Sequence, residues 1–212
     1  MVHIINRYKT VFVTVIIIAI SFISPKNYLE GVNSIEDNDS IVNHPTFTSL
    51  DKALENPLEV YKLDLSKNRL KEVPEGVFTL SNLYHLNLSK NKLKEISSEI
   101  GSLKKLKHLN VDRNKLTKLP DELGELSQLE ELLISRNEIQ YLPNSIVDLK
   151  NLKVLDMWSN EFEEFPEDME ELKSLELIDM RGIIFDIEVI KTLEKRMPNT
   201  KIKYSNTCNC KF

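Results

Sequence analysis

The chain has 212 residues, 29% of them charged, with a net charge of −5. That is room for one domain plus a leader, and it argues against a general nucleic-acid binder, which would carry a basic surface. The five glycines form no phosphate-cradling loop, and the two cysteines, Cys208 and Cys210, leave no disulfide framework or zinc-finger spacing.

Residues 1–24 read as a secretory signal peptide or N-terminal anchor. Arg7 and Lys9 precede an apolar run from Val11 to Ile23, interrupted by Thr14 and Ser21. Such a run matches a signal core and falls short of the roughly 20 residues of a membrane span. Ala19 and Ser21 offer a small-residue pair for cleavage. The expected location is therefore secreted or at the cell surface. The alternative is an uncleaved leader, which would be the only membrane contact. Residues 25–45, rich in Asn, Asp and Ser, read as a disordered linker.

Residues 46–58 are expected to form an N-terminal cap helix. Thr48 or Ser49 can cap it, and Leu50, Ala53 and Leu54 recur at helical spacing before Pro57.

From residue 59 to 187 the chain repeats. Asn68, Asn91, Asn114, Asn137 and Asn160 follow one another at intervals of 23 residues. Leucine-like apolar residues stand five and three positions before each, and two after: Leu63, Leu65 and Leu70 in the first copy, Leu155, Met157 and Phe162 in the fifth. A further apolar residue and proline follow in every copy except the second, where Ile96-Ser97 stands. A fixed period with leucines locked to it marks a solenoid. The alternating pair before each Asn suits a short strand with both aliphatic side chains inward. The Asn amide, with two donor hydrogens and one acceptor oxygen, suits the turn that follows. Stacked, these amides are expected to form a buried structural ladder. A sixth copy is degenerate, with Ile178 and Met180 at the strand positions and Ile183 in the Asn slot. One copy cannot bury enough apolar surface to offset the entropy of ordering its backbone, so stacking must supply the rest.

The pattern, read from Leu106 to Leu126, resembles the leucine-rich repeat family, in particular its bacterial 23-residue type. The resemblance covers residues 59 to about 185. It implies an α/β solenoid, arc-shaped, with a concave parallel sheet that usually meets the partner.

Residues 188–212 are expected to form a C-terminal cap and tail. Glu188–Met197 should be a helix with Val189, Ile190 and Leu193 on one face. Lys201-Ile202-Lys203-Tyr204 should be a closing edge strand whose lysines deter pairing with another chain. Cys208 and Cys210 are one residue closer than a redox pair, and their state stays open.

The repeat also fixes which side chains leave the sheet outward, six, four and two residues before each Asn. The first column reads Lys62, His85, His108, Glu131, Val154, Leu177. The second reads Asp64, Asn87, Asn110, Leu133, Asp156, Asp179. The third reads Ser66, Ser89, Asp112, Ser135, Trp158, Arg181. Leu133, Val154, Leu177 and Trp158, the single tryptophan, are apolar at positions the pattern exposes. Flanked by charge, they form a candidate hot spot for a protein partner, with Lys62, His85, His108 and Arg181 as further contacts. Lys67, Arg69, Lys90, Lys92, Arg113, Lys115 and Arg136 line the early turns, and Glu138, Glu161, Glu163 and Glu164 the later ones. Such a dipolar rim can orient a charged partner. His85 and His108 stand in neighbouring copies near Asp112, but two imidazoles without a third fixed ligand do not make a metal site. No nucleophile–base or paired-carboxylate constellation appears. The expectation is a monomeric, non-catalytic protein-binding module without cofactor or metal. Carbohydrate or cell-wall binding through Trp158 is the alternative.

Overall fold

The computed structural model describes residues 44–205. The leader, most of the linker, and Cys208 and Cys210 lie outside the described residues. Among the described residues eight strands form one parallel sheet in sequence order: β1 Thr46–Phe47, β2 Lys62–Asp64, β3 His85–Asn87, β4 His108–Asn110, β5 Glu131–Leu133, β6 Val154–Asp156, β7 Leu177–Asp179 and β8 Lys201–Lys203. The register runs Leu63, Leu86, Leu109, Leu132, Leu155, Ile178, Ile202 across seven strands. The first six of these are at most 1% exposed. A period of 23 thus becomes one column of aliphatic side chains with solvent excluded, and the chain is a repeat solenoid. We number its coils one to six by their β2–β7 strands.

Coils one to five each return through a short 3₁₀ segment, such as Ser98–Ser102 or Asp121–Glu125. Pro74, Pro120 and Pro143 sit at the N-cap of theirs, with φ between −61° and −74°, which is the ring's own preference. Coil two replaces proline with Ser97, whose hydroxyl accepts from the Glu99 N–H at 3.3 Å. The exception in the sequence is therefore a different cap for the same turn. A Cβ on Gly124 would lie 2.5 Å from the Ser145 carbonyl oxygen, so coils three and four approach closer than any side chain permits.

The turn after each strand is built twice over. The residue before each ladder position takes a left-handed φ: Lys67, Lys90, Arg113, Arg136 and Ser159 between 53° and 60°, and Gly182 at 73°. Non-glycine residues are uncommon there. Their N–H groups are held by the next coil, as in Lys90 to the Asp112 carbonyl at 2.8 Å and Arg136 to the Trp158 carbonyl at 2.7 Å. The Asn amide then locks the turn. The Asn137 side-chain nitrogen donates to the Ile134 and Ser135 carbonyls of its own coil and to Val111 of the coil before, while its oxygen accepts from the Leu116 N–H. Asn91, Asn114 and Asn160 bond the same way. Two of the five depart from the expected buried row: Asn114 is half-buried and Asn68 is exposed. The ladder amides reach backward, and among the described residues no coil of this shape precedes Asn68.

The ends differ in detail from expectation. Helix α1, Leu50–Glu55, starts at Ser49, whose hydroxyl accepts from the Lys52 N–H, and buries Ala53. The strand β1 ahead of it is an addition, pairing with β2. Helix α2, Ile187–Arg196, buries Ile190 and Leu193, and Met197 continues that stripe. Val189, one turn before Leu193, stands at the edge of that stripe and is 42% exposed. Ile202 and Tyr204 pack against the core.

Candidate functional site

The parallel register carries the outward columns across the sheet as it carries the core. Lys62, His85, His108, Glu131, Val154 and Leu177 stand side by side. The imidazole centroids of His85 and His108 are 5.5 Å apart, and His108 Nδ1 meets Glu131 Oε2 at 2.9 Å. Burial, and then the neighbouring His108, hold the His85 imidazole below its ordinary value. Among the described residues no group of three or more His, Cys, Asp or Glu is arranged to hold a metal ion.

The second column has a structural task that the sequence pattern already carried. Asp64, Asn87, Asn110, Asp156 and Asp179 each use Oδ1 to accept the N–H of the residue two positions on, at 2.8 to 3.3 Å. Five of six outward positions are thus turn locks as well as surface, and the repeated Asp or Asn four residues before the ladder was the signal for it. Leu133 is the exception. It has no acceptor to offer Ser135, and the Ser135 hydroxyl donates to Asp112 Oδ1 at 2.7 Å instead.

That exception stands beside Trp158. A depression of about 260 Å³ is lined by Asn110, Asp112, Arg113, Leu133, Ser135, Arg136, Asp156 and Trp158. The Arg136 guanidinium lies 4.0 Å from the Trp158 ring centroid and that of Arg181 lies 5.9 Å away. Arg181 also grips Asp179 through two nitrogens, at 2.9 and 2.6 Å. Burial alone would raise the Asp179 carboxyl, but the hydrogen bonds and charge of Arg181, helped by Lys203, hold it below the usual value. Asp156 goes the other way. Burial raises it, with Asp179 and Asp112 adding to the shift, and neither its hydrogen bond from the Trp158 N–H nor the charge of Arg181 offsets them. A Cβ on Gly182 would lie 3.2 Å from Trp158 Nε1, so the glycine leaves the indole its place.

The structure changes the sequence-based cluster in two respects. Leu133, Val154, Trp158 and Leu177 are half-buried, not exposed, because each leans on neighbours along its column. Leu133 and Trp158 share the depression, whereas Val154 and Leu177 pair with each other across β6 and β7 and do not line it. Arg136, placed by sequence on the charged rim, belongs to the depression. A larger groove, of about 480 Å³, runs between the loops around Ile96–Ser98 and Lys118–Glu122. It gathers a lysine and several carboxylates around Leu119 and Pro120, without an aromatic or a set of converging bases.

Residues 94–197 match a family model described as a leucine-rich repeat region, and residues 59–116 match a second, described as a leucine rich repeat. No curated protein compared with the chain matches it. Among solved structures, a leucine-rich repeat protein of Leptospira interrogans is similar, at 30% identity and a TM-score of 0.59, over 77% of this chain and 48% of that one. The chain thus spans about half the length of that protein.

Proposed function

The chain belongs to the leucine-rich repeat family, and from that premise we propose that it is a non-catalytic module that binds a protein through the open face of its sheet. Leucine-rich repeat domains generally bind proteins. The observation that carries the reading is the depression at Leu133 and Trp158. It stands where one coil gives up its turn-locking Asp or Asn for a leucine, next to the sole tryptophan. Aromatic and arginine side chains around an apolar centre are what protein hot spots are made of. Lys62, His85 and His108 extend the same face toward the first coil, and Val154, Leu177 and Arg181 toward the last.

In this reading the protein acts as a monomer, exported to the cell surface or secreted. Support for export is the basic and then apolar leader at 1–24. If the leader stays, it is an N-terminal membrane anchor. Among the described residues no helix is long and apolar enough to cross a membrane. The end segments 46–58 and 188–205 act as covers for the terminal coils. Carbohydrate binding through Trp158 has less in its favour, because Trp158 is the one aromatic side chain lining the depression, where sugar sites often use several.

The test is a pull-down from cell-surface or host extracts with the native chain and Trp158→Ala. Loss of the captured protein from the variant is the expected result. Capture of every partner with unchanged affinity by the variant would remove the proposed site.

A further inference from the structure

Resting on the protein-binding reading above, we propose that the depression takes one basic side chain of the partner, a lysine or arginine, its stem against Leu133 and Trp158 and its charge against Asp156. The cavity, about 260 Å³, is smaller than the roughly 300–1,000 Å³ of sites for drug-sized ligands. It suits a single long side chain. Two of its walls are apolar, and a lysine or arginine stem buries well on such walls while its charged end stays polar.

The carboxylate is the informative part. Its turn-locking role does not need a charge, since neutral Asn87 and Asn110 do the same for Ser89 and Asp112. The charge at 156 is therefore additional to what the fold requires. It is also uncommitted. Asp112 contacts Arg113 and the Ser135 hydroxyl, and Asp179 is held by Arg181 and Lys203. Among the described residues Asp156 makes no ion pair, and its hydrogen bond is the one from the Trp158 N–H. A half-buried carboxylate with unused acceptor capacity is stabilised by an arriving cation. Of the guanidiniums nearby, Arg181 lowers the Asp156 carboxyl through its charge without pairing with it, and none makes an ion pair with it among the described residues. Arg113 pairs with Asp112, Arg181 with Asp179, and Arg136 lies on the indole face.

Because Trp158 is the only tryptophan, its emission reports on this site alone. The full chain is titrated with acetylated hexapeptides carrying lysine, arginine, norleucine or glutamate at one central position among mixed flanking residues. The lysine and arginine sets should shift the emission at concentrations at least about tenfold below the norleucine set. Asp156→Asn keeps the acceptor for the Trp158 N–H. It should leave the melting temperature unchanged and reduce the basic sets to the norleucine level. Selectivity for basic residues that survives Asp156→Asn, stronger binding of the glutamate set, or no response to any basic set up to about 1 mM would overturn the inference. The Trp158→Ala pull-down separates the two readings. If that variant loses the partner while Asp156→Asn changes nothing, the site stands and the basic side chain falls. If Trp158→Ala keeps every partner, the site falls and the inference with it.

Discussion

Coils one to three and coils four to six share a scaffold and differ in what they present. In the first half the face carries Lys62, His85, His108 and three intact turn locks, and the turns are lined with lysine and arginine. In the second half it carries Leu133, Val154, Trp158 and Leu177, and the later turns are lined with glutamate. The buried column passes through both without interruption. Core and turn geometry are therefore set per coil, while the outward positions vary freely, except where they also lock a turn. Leu133 is where that second constraint is released, which is why the two halves diverge there.

The comparison can be broken in four ways. The largest effect should come from the ladder. Asn137→Ala strands several buried backbone groups at once and should cost about 3 kcal/mol or more in urea unfolding. Asn68→Ala, at the same motif position but exposed, should stay within about 0.5 kcal/mol. Equal losses would mean that the backward hydrogen bonds are not what the Asn supplies. Next, Gly124→Ala drives a Cβ against the Ser145 backbone and should destabilise by about 1–3 kcal/mol. An unchanged midpoint would show that coils three and four can slide apart.

The third is a repair. Leu133→Asn restores an acceptor for the Ser135 N–H, so its stability should lie between no change and a gain of about 1 kcal/mol, while partner capture weakens. A clear loss of stability would mean that Leu133 is there for packing. The smallest effect is in pH. The folded His85 imidazole is held below its ordinary value of 6.5, mainly by burial, so the unfolded chain binds the proton more readily. Stability should therefore fall as pH drops below about 6.5, and level off once the folded group is protonated too. Unfolding of His85→Gln across the same range should show a shallower slope.

Much of the scaffold was legible before any coordinates, because a 23-residue period repeated five times leaves one way to align the leucines. What escaped was whatever depends on a neighbouring coil. The exposure of Asn68 follows from the missing coil before it, not from its own residue type. The Arg136–Trp158 contact joins a rim position on one coil to a face position on the next, and a pattern read within single repeats keeps these apart. β1 has two residues, too few for any periodicity. Val189 shares a helical face with Leu193 by spacing, but it stands at the edge of the stripe that packing covers, and spacing alone does not show where that cover stops. The paired role of Asp and Asn in the second column was readable in the repeat, but a column assigned to the surface invited no search for a backbone task.

The backward reach of the ladder amides gives the stack of coils a direction. Asn91 closes on Leu65 and Leu70, Asn114 on Leu88 and Leu93, and so on to Asn160 on Ile134 and Ile139. Each coil is the latch of the one made before it. A chain emerging from the ribosome or a translocation pore with its first residues leading can therefore lay down finished turns one at a time, like a zipper drawn from one end. Unravelling from the trailing end undoes a single latch per step.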